Sequence, residues 1–156
     1  MSTKRKAAGK APVAETQTPA LPVPCDHRRI LIVDDESAIR SVFKRVVSIG
    51  LPNCRTDVAV NGAEAVEYFR SAHQGLLLID LQMPVMDGQQ AFYEIERLCQ
   101  AENWKMPAFV FCTGFLPPEA VQEIVAKDPK HCLLRKPVSI DMLLDALKAR
   151  LPPQGA

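Results

Sequence analysis

Acidic, hydroxyl and basic residues follow four apolar segments of this sequence, and their types could together hold a metal ion. Asp34-Asp35-Glu36 comes directly after one apolar run, Asp80 follows another, and Thr113 and Lys136 end two more. If folding brings these segments together, three carboxylates lie side by side, which is unfavourable because neighbouring carboxylates resist joint ionisation. A divalent cation and a lysine relieve that repulsion, and an oxygen-rich site of this kind suits Mg²⁺.

The segments that must position these residues alternate between two hydrophobic periods. Five short apolar runs predict strands, and after each one the apolar residues recur at helical spacing. Parallel strands need crossover helices, so five such units predict an α/β fold with a doubly wound parallel sheet. Ligands bind outside the carboxyl ends of such strands, where the polar residues fall. The predicted strands are Ile30 to Val33, about Arg55 to Val60, Leu76 to Ile79, Ala108 to Cys112, and Cys132 to Leu134.

The two ends of the chain differ from the rest in composition. Residues 1–24 carry four basic residues and four prolines against one acid, Glu15, and no large aromatic residue. Such a segment buries too little apolar surface to offset the entropy of ordering it, so we predict a disordered basic, proline-rich extension over residues 1–26. Residues 27–151 form the predicted domain, and residues 152–156 form a short tail.

Composition, net charge and cysteine spacing argue against several classes of function. The formal net charge of +1 gives no reason to expect direct DNA binding, and the apolar runs are too short to span a membrane. The five cysteines form no C-x-x-C pair, which favours a reduced, cytoplasmic protein. No glycine-rich phosphate loop is present, which argues against nucleotide binding.

Several polar residues have ordinary structural explanations. Asp34 and Asp35 could cap the helix that follows them, although capping explains one acid and not a pair. Asp87-Gly88 is predicted to be a turn and a helix cap, and Ser139 the cap of the last helix. His27, His73 and His131 have no metal-binding partners at suitable spacing and are predicted to lie at the surface.

The motifs together resemble the receiver domain of two-component response regulators over about residues 28–151. The stretches that carry the resemblance are Ile32-Val33-Asp34-Asp35-Glu36, Asp80 to Gly88, Thr113-Gly114 and Lys136-Pro137. The resemblance implies a flavodoxin-like sheet of five strands in the order 2-1-3-4-5, with five helices.

The resemblance also implies roles for individual residues. Asp80 would accept a phosphoryl group from a phosphohistidine donor, as a covalent nucleophile. Mg²⁺ would be held by Asp35, Asp80 and the backbone carbonyl of Gln82, and through water by Asp34. Lys136 would pair with Asp80 at rest and with a phosphoryl oxygen afterwards, and Thr113 would donate its hydroxyl to the phosphoryl group. The Lys136-Pro137 peptide bond would be cis.

Three positions are expected to set how the switch behaves. The family often has Tyr or Phe three residues before the lysine, where this chain has Leu133. A smaller side chain there weakens the expected coupling between Thr113 and an aromatic gate. Gln82 and Phe115 occupy the positions that tune the phosphate lifetime in this family, and a bulky Phe115 predicts slow loss of phosphate.

The expected function is a phosphoacceptor in a phosphorelay and not an enzyme. A dehalogenase-type phosphatase is disfavoured because Gln82 stands where those enzymes have a second aspartate. The alternative is an interaction module that works without phosphorylation. No output segment follows the last helix, so we expect a sensor histidine kinase or histidine phosphotransfer protein upstream and a protein target downstream. A homodimer could form through the face of the fourth helix, fifth strand and fifth helix.

Overall fold

The computed structural model describes residues 23–153 and contains five strands and five helices within them. The strands form one parallel sheet in the order β2-β1-β3-β4-β5, so the predicted flavodoxin-like α/β fold is confirmed. In chain order the elements are β1 (Asp26–Val33), α1 (Ser37–Gly50), β2 (Arg55–Ala59), α2 (Gly62–Ala72), β3 (Gln74–Asp80), α3 (Gly88–Glu102), β4 (Ala108–Thr113), α4 (Glu119–Lys127), β5 (Cys132–Arg135) and α5 (Ile140–Lys148).

Two apolar cores lie on opposite faces of the sheet because neighbouring residues of a strand point to opposite sides. On β1, Leu31 and Val33 belong to one core, which packs against α2, α3 and α4. Ile30 and Ile32 belong to the other, which packs against α1 and α5. Because both faces are covered, the central strands are apolar at almost every position, which the continuous runs in the sequence had indicated.

Helix starts are fixed by side-chain caps at three of the five helices in the described range. Asn61 caps α2, Asp87 caps α3 through a reciprocal capping box with Gln90, and Ser139 caps α5. The cap predictions for Asp87 and Ser139 are therefore confirmed. Helix α1 starts after Glu36 without a side-chain cap.

Most strands are longer than the apolar runs had indicated, and some apolar residues at helical spacing face solvent. β3 begins two residues before the predicted run, at Gln74. Val42 and Ile140 follow the helical spacing of apolar residues in α1 and α5, yet both are exposed.

The prediction of disorder covers residues 1–26, and residues 1–22 and 154–156 lie outside the described range. In the described part, Asp26 already pairs with β3, and the Val23 carbonyl lies 3.0 Å from Nδ1 of His73. At the other end, Arg28 donates to the carbonyls of Pro152 and Pro153. The contacts of the folded domain therefore extend closer to both ends of the chain than composition had suggested.

Two of the three histidines are buried, so their predicted surface location is wrong. His73 lies between two carbonyl oxygens and stacks on Trp104 with a centroid distance of 4.4 Å. His131 accepts a hydrogen bond from the Phe109 amide at its Nδ1. Both rings satisfy backbone groups at the amino-terminal edge of the sheet, a role that has no sequence signature. His27 is exposed, as expected.

Within residues 23–153, no helix has the length and apolar character that crossing a membrane requires.

Candidate functional site

Three carboxylates meet at the carboxyl edge of the sheet, where β1 and β3 end side by side. Val33 pairs with Ile79, so the residues that follow them, Asp34 and Asp80, are neighbours. One carboxylate oxygen from each of Asp34, Asp35 and Asp80 lies within 4.8 Å of the others. Asp34 and Asp80 are buried, while Asp35 is exposed. The arrangement presents hard oxygen donors toward one opening, which is the donor set that Mg²⁺ prefers.

Lys136 offsets part of the negative charge of this cluster. Its Nζ lies 3.1 Å from Asp34 Oδ2 and 3.2 Å from Asp80 Oδ1, so one ammonium group serves two carboxylates. The preceding strand β5 pairs with β4, and the Lys136 amide donates to the Thr113 carbonyl at 2.8 Å. The Lys136–Pro137 peptide bond is cis.

The two charges of the Lys136–Asp80 pair respond differently to their surroundings. Burial raises the pKa of the Asp80 carboxyl above its ordinary value, and the Asp34 charge adds to this, while Lys136 opposes both without cancelling them. Burial lowers the pKa of Lys136, but its hydrogen bond with Asp34 and the Asp80 charge outweigh this, so the net shift is upward. The site therefore keeps its lysine charged and carries more negative charge than one lysine neutralises.

The loop after Asp80 is held close to the acidic cluster by backbone contacts. The Leu81 amide donates to the Cys112 carbonyl, and the Gly88 amide donates to the Leu81 carbonyl. A Cβ atom at Gly88 would lie 2.5 Å from the Asp80 carbonyl oxygen, so only glycine permits this approach. Gly88 thus fixes the start of α3 against the backbone of Asp80.

Thr113 is buried at the end of β4, and its hydroxyl is engaged within its own loop. Its Oγ1 donates to the Phe115 carbonyl at 3.0 Å and accepts from the Phe115 amide at 3.1 Å. No hydrogen bond joins it to the described acidic residues. Phe115 is 63% exposed, next to Leu116, which is 81% exposed.

The other predicted site residues, Leu133 and Gln82, differ in how far they are buried. Leu133 is partly buried and packs against the core that contains Phe111, with which it pairs across β4 and β5. Gln82 is exposed at the beginning of the β3–α3 loop. Val85 in the same loop has a φ of 72°, a conformation that a β-branched residue rarely adopts.

Arg40 is a neighbour of the site that sequence reasoning missed. Its Nη1 donates to the Asp34 carbonyl at 2.7 Å, which ties the first turn of α1 to the peptide that joins the two acids. Asp34 in turn accepts from the Glu36 amide through Oδ1 at 2.9 Å. A basic residue on the first helical turn after an acidic pair was the available signal in the sequence.

Comparison with known proteins gives a consistent result. The family model described as the response regulator receiver domain matches residues 30–148. The chemotaxis protein CheY of Bacillus subtilis is 31% identical over 125 residues, covering 79% of this chain and 97% of that protein. The protein-glutamate methylesterase/protein-glutamine glutaminase of Aliivibrio fischeri is 39% identical over 71 residues, but the match spans only 46% of this chain and 19% of that protein.

A solved structure of similar fold is CheY4 from Vibrio cholerae, with a TM-score of 0.64 and 24% identity over 79% of this chain and 98% of that chain.

Proposed function

This chain belongs to the family of response regulator receiver domains of two-component signalling, and we propose that its Asp80 accepts a phosphoryl group from a phosphohistidine. The donor is a sensor histidine kinase or a histidine phosphotransfer protein. The observation that carries the proposal is the placement of Lys136 Nζ, 3.2 Å from Asp80 and 3.1 Å from Asp34, within a cluster of three carboxylates.

The cluster suits a bound Mg²⁺, which is typical of the family. Asp35, Asp80 and the Gln82 carbonyl would hold the ion directly, and Asp34 would hold it through water. When bound, the ion neutralises negative charge on the transferring group. Arg40 fixes the peptide between Asp34 and Asp35, so the two acids keep their orientation when the third takes part in chemistry.

Asp80 acts as the nucleophile in its ionised form. A carboxylate oxygen of Asp80 attacks the phosphorus atom, and the electron pair of the P–N bond returns to the ring nitrogen. The histidine leaves as neutral imidazole because its other ring nitrogen carries a proton. Burial disfavours the ionised carboxylate, while the neighbouring ammonium group of Lys136 supports it. Lys136 then moves its hydrogen bond from Asp80 to a phosphoryl oxygen.

The switch starts at Thr113. Its hydroxyl leaves the Phe115 carbonyl and donates to a phosphoryl oxygen, which draws the β4–α4 loop toward the site. Because Leu133 is smaller than an aromatic residue and already packs against the core, the movement is passed on by repacking and not by the swing of a ring. The face of α4, β5 and α5 then changes its affinity for a protein target or for a second copy of the chain.

Phe115 is proposed to slow the loss of phosphate by limiting access of water to the acyl phosphate. Its substitution Phe115→Glu is expected to shorten the phosphate half-life. An unchanged half-life, followed by the decay of radiolabelled protein, would remove this role. The reaction is a signalling event with slow self-dephosphorylation, so we do not propose turnover of external substrates, and we place the protein in the cytoplasm.

One observation favours a second candidate, an interaction module that does not depend on phosphorylation. Leu133 occupies the position of the usual aromatic gate, and the Thr113 hydroxyl is satisfied within its own loop. A domain of this kind would keep the fold and the partner surface but would not couple them to the acidic site.

Fluoroberyllate, a phosphoryl mimic, separates the two candidates. In the presence of Mg²⁺ we expect it to shift the amide resonances of Thr113 and of residues on α4 and β5, and to leave an Asp80→Ala variant unchanged. Binding at Asp80 without any shift beyond the acidic cluster would favour the uncoupled module. Absence of binding would contradict the phosphoacceptor.

A further inference from the structure

A cavity of about 250 Å³ opens at the amino edge of the sheet, opposite the acidic cluster. It lies where β1, β3 and β4 begin and where the chain enters β5. Four basic side chains from four separate segments line it: His27, Lys105, Lys130 and Arg150. Among the residues that the structure describes, no carboxylate lines it, which distinguishes it from the carboxyl edge in both sign and composition.

The sheet itself makes room for this cavity. The register between β1 and β3 shifts between Asp26 and Ile30. The two strands therefore lose their regular pairing over this stretch, which contains His27. Gly75 lies opposite, and a Cβ atom there would be 2.9 Å from the Cα of His27. The absence of a side chain at Gly75 lets the backbone of β1 lie close to β3 at the edge of the cavity, where an ordinary strand residue would push β1 away.

Two of the cations are fixed in place by backbone carbonyls. Arg150 donates from Nε to the Lys130 carbonyl at 2.8 Å and from Nη1 to the Ala146 carbonyl at 2.9 Å. Lys130 donates from Nζ to the Met106 carbonyl at 3.0 Å. These contacts cap the end of α5 and join loops, and they orient the charges at little further entropic cost. Each ammonium or guanidinium group keeps N–H donors beyond those it uses here.

The positive charge of the cavity is not balanced by ion pairs among the described residues. The side-chain nitrogens of Lys105, Lys130 and Arg150 form no ion pair with a described carboxylate. The nearest acids are engaged elsewhere: Asp128 accepts from the Lys130 backbone amide at 3.0 Å, and Asp26 pairs with Arg55. The charges act on the buried groups around them. Burial raises the pKa of the Cys25 thiol, which Lys105 and Lys130 oppose and Asp26 supports. Burial lowers the pKa of His131, which Asp128 opposes and Lys130 and Arg150 support.

We propose that this cavity binds a small phosphate-bearing anion. A carboxylate has two oxygens to offer, whereas a phosphate group has three or four oxygens and a charge near −2, which matches several lysine and arginine donors converging from different sides. The volume admits inorganic phosphate or a phosphomonoester with a small organic group. The site lies at the opposite edge of the sheet from Asp80 and does not depend on the function proposed for that residue.

The test is a titration of the full chain carrying Asp80→Ala, with EDTA present so that the acidic cluster binds no metal. Sodium phosphate and glycerol 3-phosphate are added in separate arms at constant ionic strength, and amide resonances are followed by NMR. We expect saturable shifts at Gly75 and Lys105. A larger affinity for glycerol 3-phosphate would identify an organic phosphate, and equal affinities would identify the free ion.

Lys105→Gln is the informative variant because Lys105 is exposed and its loss leaves the carbonyl contacts of Lys130 and Arg150 in place. Removing one charge-assisted hydrogen bond is expected to weaken binding about tenfold or more. Lys44→Gln, on exposed α1 surface away from the cavity, is the matched control and keeps the wild-type affinity. Shifts that fail to saturate, that sodium chloride reproduces, or that Lys105→Gln leaves unchanged would overturn the proposal.

Discussion

The two edges of the sheet treat their polar groups in opposite ways. At the carboxyl edge, three carboxylates lie within 4.8 Å of one another and Lys136 is shared by two of them. At the amino edge, the buried rings of His73 and His131 lie against backbone groups that they satisfy. The carboxyl edge concentrates negative charges, whereas at the amino edge the two buried rings join segments of the chain.

This difference shows where the molecule depends on a ligand and where it depends on packing. Carboxylates held close together destabilise the folded protein by repulsion. Binding of a cation or of a phosphoryl group changes the net charge of the cluster, so the cluster responds to ligands. A buried, hydrogen-bonded ring stabilises the fold and responds mainly to pH. Substitutions at the carboxyl edge should therefore alter binding first, and substitutions among the buried rings of the amino edge should alter stability first.

The largest expected effect lies at the amino edge and depends on pH. Burial lowers the pKa of His131 to about 4. Below pH of about 6.5 the unfolded chain takes up a proton there that the folded protein does not accept until about pH 4. Stability that is present above pH 6.5 is therefore lost as the pH falls toward 4, by about 3 kcal/mol in total.

The measurement is the free energy of unfolding from urea titrations between pH 7 and pH 4, for wild type and His131→Asn. The asparagine oxygen can still accept from the Phe109 amide, but the side chain does not titrate. The variant is expected to lose less stability across this range. Parallel pH profiles of the two proteins would show that His131 is not the group responsible.

The next effect belongs to the carboxyl edge and concerns Mg²⁺. An ion that binds only the folded state stabilises it by about 2.7 kcal/mol at a concentration 100 times its Kd. Asp35→Asn is expected to lose most of this gain, and to be more stable than wild type in EDTA because one of three like charges is gone. Thermal unfolding with and without Mg²⁺ measures both quantities.

Glu36→Gln is the matched control, since it removes the same charge from the next residue, which lies outside the cluster. It should keep the response to Mg²⁺. A loss of that response equal to the loss in Asp35→Asn would point to the general charge of the loop and not to a metal site.

A pair of glycines offers a sharper test of local fit. A Cβ atom at Gly88 would lie 2.5 Å from the Asp80 carbonyl oxygen, whereas one at Gly114 would have no neighbour within 4 Å. Gly88→Ala should cost about 2 kcal/mol through overpacking. Gly114→Ala should change stability by less than about 0.5 kcal/mol. Chemical denaturation measures the free energy of unfolding of both variants. Equal losses would mean that the close contact between Gly88 and the Asp80 carbonyl does not require glycine.

The smallest effect concerns Val85, which is 81% exposed with a φ of 72°. Glycine adopts this conformation without the steric cost that valine bears, but it gains more entropy in the unfolded chain. Val85→Gly should therefore stabilise the protein by only about 0.5 kcal/mol. A destabilisation in the same denaturation assay would indicate that the loop relies on the valine side chain.

Much of this architecture could be predicted from the sequence because it depends on local pattern. The continuous apolar runs of β1, β3 and β4 predicted a sheet covered on both faces, and the residues after them fall at its carboxyl edge. The capping roles of Asp87 and Ser139 were predictable because a short polar side chain before a helix satisfies its free amide groups. The strand order was available only through the resemblance to receiver domains.

The parts that could not be predicted depend on contacts between distant segments. His131 accepts from Phe109 across 22 residues, and the His73 ring meets a carbonyl 50 residues away, so composition and spacing assigned both rings to the surface. The bond from Arg40 to the Asp34 carbonyl depends on how α1 leaves the sheet. The geometry of the Lys136 ammonium between two acids likewise required the fold, although its presence at the site was expected.

The most direct test of Asp80 as the phosphoacceptor is the intact mass of the chain after incubation with Mg²⁺ and acetyl phosphate. The same measurement is made on the Asp80→Ala variant. We expect one added phosphoryl group in the wild-type chain, with no addition in the variant or without Mg²⁺. An unmodified wild-type mass, or the same addition in Asp80→Ala, would contradict the assignment of Asp80 as the phosphoacceptor.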